Sequence, residues 1–257
     1  MTFPDRACIH VGGGDAEHFL QNLVTCEIEA LEGLTFGALL APQGKVLFDF
    51  FVSRIDGGFR LETRADAADA LVQRLTFYRL RADVMLERTD ETVGWSDDGM
   101  PDPRTSEMGG RLYGAGANGD DAEAYHERRV TLGVPEAGHD FPYGDVFPHD
   151  VLMDQFEAPG AGVARKGCYV GQEVVSRVQH RGTARKRVMR VAADGPLPPM
   201  GTAVTVEGRE VGRLGTVRDG HGLALLRIDR VRDAAVETGG MALRVAFPTF
   251  TSFGWPA

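Results

Sequence analysis

The sequence predicts an α+β protein built as several compact lobes, the last of them a small β-barrel. Three observations predict it. Hydrophobic residues make up 43% and charged residues 25% of the 257 positions, enough to bury a proper core. The 33 glycines and 13 prolines imply many turns. Up to about Thr183 helix-like and strand-like patterns alternate, and beyond it only short strands remain.

Residues 6–11 read as a short strand, followed by the turn Gly12-Gly13-Gly14-Asp15 and a helix with Phe19, Leu20, Leu23 and Val24 at helical spacing. Residues 34–41 and 46–54 make a hairpin around Pro42-Gln43-Gly44-Lys45, because proline and glycine sit where a tight turn needs them. Residues 59–63 supply a third strand. Asp66 is placed to cap a helix carrying Ala70, Leu71, Leu75 and Tyr78, and residues 81–88 alternate with Ala82, Val84 and Leu86 on one side. Between Asp97 and Asp121, Pro101, Pro103 and the run GAGANGDD read as loops around one short strand at 111–113. A helix over 122–132 stops before Val134-Pro135, and 136–165 form a long structured loop, a length usually tied to function. Short strands at 187–191, 203–206, 211–217, 223–228 and 243–247, separated by turns such as Glu207-Gly208 and Asp219-Gly220, read as the barrel.

Charge and cysteine usage exclude several functions. With 28 basic against 37 acidic residues the net charge is −9, which argues against nucleic acid or an anionic membrane as partner unless positive charge is concentrated locally. No stretch approaches the ~18 apolar residues that span a bilayer. The start, MTFPDRACIH, lacks a basic and an apolar signal region, so export is not expected. Three cysteines without a CxxC rule out a disulfide framework or a cysteine-rich zinc site and point to a reducing, cytoplasmic setting. Familiar motifs fail on single residues. Glu17 stands where a dinucleotide fingerprint needs its third glycine, Leu39 and Val46 break a P-loop around Gly44-Lys45, and Val130 replaces the second histidine of a zinc-protease helix. The seven histidines form no ligand cluster at metal spacing.

One segment concentrates chemistry. In RKGCYVGQEVVSRVQHRG, glycines flank Cys168 and Tyr169 just ahead of Val174, Val175 and Val178, which share a helical face. A helix starting near Gly171 offers free N–H groups and a positive dipole end, and a thiol there, beside Arg165 and Lys166, would have its thiolate favoured. The same cysteine also fits a small buried side chain under a glycine turn. Glu173 and Arg177, four apart, fit a surface helix pair of about 0.2 to 0.5 kcal/mol. Between 165 and 190 eight basic residues (Arg165, Lys166, Arg177, Arg181, Arg185, Lys186, Arg187 and Arg190) stand against one acid, Glu173, a local charge suited to carboxylates or phosphates.

KGCYVGQE, continued by VVSRVQHRGTARKR, resembles the signature of the YgfZ-type folate-binding proteins, whose relatives serve iron–sulfur cluster assembly. Phe19-Leu20-Gln21-Asn22-Leu23-Val24-Thr25, Pro42-Gln43-Gly44-Lys45 and Tyr78-Arg79-Leu80-Arg81 resemble further blocks of that family in the same order. The family shares its fold with the T-protein of the glycine cleavage system, an aminomethyltransferase. The resemblance therefore implies a three-lobed T-protein-like, folate-binding fold: an N-terminal lobe from 1–45 and 122–183, an inserted α+β lobe at 46–121, and the barrel at 184–257.

It also implies a ligand, tetrahydrofolate, whose polyglutamylated form suits the basic stripe, and iron–sulfur client or assembly proteins as partners. Cys168 is implied as the functional thiol and Tyr125 as a pterin contact. Lys166, Arg177 and Arg181 are implied for folate carboxylates or a partner's acids, with Tyr169, Gln172 and Glu173 completing the binding set. Where the T-protein carries paired aspartates this chain has Phe48-Asp49. Loss of the first acid removes the group that handles the proton at the reacting nitrogen, which favours an accessory role over aminomethyl transfer. The alternative is a folate-dependent one-carbon transferase. Asp49 is left either to meet pterin nitrogens or to face solvent on its strand. Arg6 stands where the family often has an aromatic, and Leu152-Met153-Asp154 stands for its Asn-Leu-Asp.

Overall fold

The computed structural model describes residues 2–119, 121–163, 166–181 and 184–256, with Arg181 by its backbone alone. The first sheet takes β1 (Arg6–Gly12), β2 (Leu34–Leu40), β3 (Val46–Ile55), β4 (Gly58–Arg64) and β5 (Met85–Thr89) in the order β2-β3-β4-β1-β5, every pairing antiparallel. Helices α1 (Ala16–Leu23) and α2 (Ala68–Arg79) cover one face, where Leu20, Leu71 and Leu75 pack with Ile9, Val11, Val52 and Leu61. On the other face Phe36, Ala38, Leu40 and Phe51 pack with Phe141, Val151 and Leu152 of the long loop and with Val188 and Leu223 of the barrel. Burial on both sides explains why β2 reads as the continuous run LTFGALL, with all seven residues buried, rather than alternating. The residue-45/46 division implied by the resemblance falls in the β2–β3 turn, so strands from both sides of it share this one sheet.

A second, three-stranded sheet joins β6 (Val93–Ser96), β7 (Met100–Pro101) and β8 (Gly110–Tyr113) in the order β6-β8-β7. Of the three, β8 alone was legible in the sequence; all are four residues or fewer, too short for a reliable period. Helix α3 (Ala122–Leu132) starts where the Asp121 carboxylate accepts from the Glu123 N–H at 3.1 Å and ends at Gly133 with φ 93°. Helix α4 (Gln172–Arg181) follows the long loop. Strands β9 (Lys186–Ala192), β10 (Ala203–Val206), β11 (Arg209–Arg218), β12 (His221–Arg227), β13 (Val236–Thr238) and β14 (Met241–Ala246) close the expected barrel, with the short α5 (Ile228–Val231) leading into β13. Its interior is Met189, Val204, Leu214, Ala224 and Leu226.

Asp66 is not a cap. Helix α2 begins after Ala67 without a side-chain cap, because the Asp66 carboxylate is taken by Arg64 through bonds of 3.0 and 2.6 Å. A charge-assisted pair outcompetes the neutral N–H it was expected to meet.

Candidate functional site

The β2–β3 turn and the KGCYVGQE segment pack on each other through two glycines. A Cβ on Gly44 (φ 81°) would lie 2.9 Å from the Val174 Cβ, and one on Gly171 (φ 82°) 2.7 Å from the Ala41 carbonyl oxygen. Only glycine permits that approach at positive φ. This seats the start of α4 on the turn and buries Tyr169 and Val175 in the same core as Val46 and Phe141. Alongside α4 runs a cleft of about 550 Å³ lined by Lys166, Tyr169, Gln172, Ser176, Gln179 and His180. Lys166 Nζ donates to the Gln21 carbonyl at 2.6 Å and lies 5.9 Å from the centre of the Tyr169 ring. Burial lowers the Lys166 pKa and pushes the Tyr169 hydroxyl up to about 12, so the Tyr169 hydroxyl stays un-ionised at neutral pH.

Cys168 is exposed, which overturns the buried reading of this thiol. It precedes α4 rather than standing in its first turn. Cys8 and Cys26 are buried, and burial raises both thiols, Cys26 to about 12, leaving Cys168 as the accessible thiol. Glu173 and Arg177 form a 2.7 Å pair with side chains 86% and 57% exposed, a surface helix pair. Arg165 lies outside the described residues, as does the side chain of Arg181. Arg187 leaves the basic stripe altogether: it is buried and bonded to both carboxylate oxygens of Asp154, at 2.5 and 2.8 Å.

Asp49 and Tyr125 lie elsewhere, in a buried ionic network between the first sheet, the small sheet and α3. Arg6 Nε donates to Glu62 at 2.8 Å and Arg6 Nη1 to Glu136 at 3.3 Å. The Tyr113 hydroxyl donates to the second Glu62 oxygen at 2.8 Å, and Arg111 Nε stands 3.5 Å from it. Arg104 grips Asp102 at 3.0 and 2.7 Å, while Arg104 and Arg111 both donate to the Tyr125 hydroxyl at 3.1 Å. Arg129 donates to Asp140 at 2.6 Å and to the Thr216 hydroxyl, tying α3 to the barrel. Four guanidiniums thus face the carboxylates of Glu62, Asp102, Glu136 and Asp140. Asp49 is a fifth acid. Burial raises its pKa against the opposing effect of the Tyr143 hydroxyl, which donates to it at 2.6 Å. Asp49 therefore does not face solvent, and the Tyr125 ring is buried against Phe3, Trp95 and His126.

Sequence spacing gave no metal cluster, yet His126, Glu136 and His139 bring ligand atoms within 4.8 Å of one another. A cation already occupies that position. Arg129 Nε donates to His126 Nδ1 at 2.9 Å and lies 3.3 Å from Glu136 Oε2. Glu136 carries a prediction of its own. Burial pushes its pKa up, but Arg129, Arg6, Arg104 and Arg111 outweigh that and hold it at about 2, below the ordinary value of about 4.3. Its contribution to stability is complete above about pH 4.3 and is lost as pH falls toward about 2. Melting temperature measured across that window should fall less steeply in Glu136→Gln than in the parent, and an unchanged slope contradicts the assignment.

Residues 185–253 match the family model of the CAF17 C-terminal β-barrel domain. The iron–sulfur cluster assembly factor IBA57, mitochondrial, of Homo sapiens is 29% identical over 98% of this chain and 83% of its own length. That of Mus musculus is 31% identical over 88% of this chain and 77% of its own. The crystal structure of the glycine cleavage system aminomethyltransferase T from Bartonella henselae superposes with a TM-score of 0.75 at 15% identity, covering 96% of this chain and 84% of that one. This is the three-lobed fold expected from the sequence, and at that identity the likeness is one of fold alone. The relatives' names correct the cytoplasmic expectation, since these proteins are mitochondrial. Cysteine usage separates reducing from oxidising surroundings, not one reducing compartment from another.

Proposed function

The chain belongs to the IBA57 family of iron–sulfur cluster assembly factors, and from that premise we propose that it supports cluster assembly or repair as a tetrahydrofolate-binding accessory protein of the YgfZ type. The observation that carries the folate reading is the 550 Å³ cleft lined by Lys166, Tyr169 and Gln172 of the KGCYVGQE segment, in a chain with an aminomethyltransferase fold. A reduced folate is a bicyclic heterocycle, planar in its pyrimidine ring, on an aromatic stem that ends in carboxylates. Tyr169 supplies an aromatic surface, Gln172 an amide and Lys166 a cation, while Arg177, Arg181, Arg185 and Lys186 meet added glutamates. Asp49 and Tyr125 lie in the buried network and not on this cleft, so in this reading they meet the pterin only where its binding opens that network.

Cys168, exposed within this segment, is the thiol that a client, an assembly protein or a shared cluster reaches. Three thiols are too few for a four-thiolate cluster within one chain. Phe48 favours the accessory role over one-carbon transfer. Its ring packs 5.8 Å from that of Tyr143, and the adjacent carboxyl, Asp49, is buried and already bonded.

Calorimetric titration with mono- and polyglutamylated tetrahydrofolate tests the reading. Both forms should bind, the longer one more tightly at low salt, with the gap closing as salt screens the basic side chains. Equal affinities at low salt remove the role given to those residues. Absence of binding by either form removes folate while leaving family membership intact.

A further inference from the structure

The C-terminal end of α2 presents apolar side chains that the fold leaves uncovered. Phe77 is 75% and Leu80 89% exposed, the two most exposed large apolar side chains among the described residues. Ala70, Gln73, Arg74 and Phe77 recur at helical spacing on one face of α2, and with Phe48 of β3 they line a cleft of about 310 Å³. We propose that this face docks an acidic segment of a partner protein, with an apolar side chain of that segment in the cleft beside Phe77 and its carboxylates on Arg74, Arg79 and Arg81. The proposal is independent of the folate reading.

Leu80 holds its place against its own backbone preference. The Ala82 N–H closes a tight turn on the Arg79 carbonyl at 2.8 Å, and Leu80, second in that turn, has φ 50° and ψ −103°. Those are the values of the first central position of a type II′ turn, which glycine fills without strain and leucine does not. Among the other described non-glycine residues at positive φ, Glu207, Asp219 and Asp233 are polar and Leu152 is buried. Leu80 alone is both apolar and turned to solvent. Strain of this kind gathers at sites that bind, and burial under a partner supplies what the chain itself does not.

The surrounding charge selects the occupant. From Ala70 to Ala82 there are three basic residues and no acid, in a chain of net charge −9. All three arginines are exposed, and among the described residues none meets a carboxylate; Arg79 donates instead to the Val84 carbonyl at 3.3 Å. Asp83, close by in sequence, accepts from the Gly14 N–H at 3.1 Å. Elsewhere on the same sheet Arg54, Arg60, Arg64 and Arg88 are each paired with an acid. Aromatic and guanidinium groups around a cleft are the usual centre of a protein interface. An anionic bilayer fits less well. Its extended surface meets the rest of a net-negative chain, whereas a short segment, screened beyond a Debye length of about 8 Å, meets this patch alone.

The probe is a capped helical peptide of about 18 residues, long enough to form a helix, with leucines along one face flanked by glutamates. A counterpart with lysine at every glutamate position is the control. Fluorescence anisotropy with the full chain should show saturable binding, about tenfold tighter for the glutamate peptide although the net charge of the chain favours the lysine one, and weaker as salt rises. Leu80→Gly relieves the turn, so it should keep or raise the melting temperature while weakening the glutamate peptide about tenfold. Arg74→Glu combined with Arg81→Glu should reverse the preference between the peptides. No saturable binding, equal affinity for the two peptides, or full affinity in Leu80→Gly overturns the proposal. Sedimentation with vesicles of phosphatidylcholine and phosphatidylglycerol in about equal parts separates the two kinds of partner: the chain should stay in the supernatant, and binding that Leu80→Gly abolishes assigns the patch to lipid and overturns the proposal.

Discussion

Replacing Cys168 by serine is expected to remove most client iron–sulfur enzyme activity in cells while leaving the melting temperature and tetrahydrofolate binding nearly unchanged. The side chain is exposed, so exchanging sulfur for a hydroxyl creates no buried unpaired group. Serine keeps the shape and loses the chemistry, since a hydroxyl neither ligates iron as a thiolate does nor exchanges with thiols. Cys26 is the contrasting case. It is fully buried, and a Cβ placed on Gly37 would fall 2.5 Å from its sulfur, so the site is close-packed. Cys26→Ser buries a hydroxyl and should lose about 1 to 3 kcal/mol of stability without a selective effect on clients. Client activity that survives in Cys168→Ser as the only copy sinks the functional-thiol role, and a fall in melting temperature matching the lost activity reassigns the residue to architecture.

The largest stability effect is expected at Glu62. Its carboxylate is fully buried and receives Arg6, Tyr113 and the approach of Arg111, so Glu62→Ala leaves two buried guanidiniums short of a counter-charge. Removing one partner of a buried ion pair typically costs about 3 to 5 kcal/mol. In a chain of this size that lowers the melting temperature by roughly 10 °C. Arg177→Ala, which breaks only the exposed pair with Glu173, should stay within about 0.5 kcal/mol of the parent. Thermal unfolding of the two variants side by side checks this. A loss at Glu62 no larger than that at Arg177 shows that the network is not what locks the lobes together.

The barrel and the β2–β3 hairpin were legible because their signals are local: short alternating strands, and a turn whose proline and glycine announce it. The network was not. Its members run from Arg6 to Thr216, and they meet only through tertiary packing: strand pairing sets Glu62 opposite Cys8 on β1 and Phe51 on β3, while α3 brings Tyr125 and Arg129 to them. In sequence each charged member resembles an ordinary surface residue. Signals were nonetheless present in part. Arg6 was conspicuous for standing where an aromatic was expected, and it proves to bridge Glu62 and Glu136. Asp154, in the segment that lacks the family's asparagine, anchors Arg187, and Leu152 beside it is buried at φ 67°, a left-handed conformation that asparagine adopts far more readily than leucine. Cys168 shows the opposite limit, since the motif announced it but its exposure depends on how the loop seats against Gly44 and could not be read from neighbours in sequence.

The most direct test of the assembly role is complementation. In cells deleted for their own IBA57-type factor, this chain is expressed as the only copy and the activity of an iron–sulfur client enzyme is measured per amount of client protein. Restoration toward the level of undeleted cells is the predicted result. A deficit that persists although the folded chain accumulates normally in the compartment where the client matures contradicts the account.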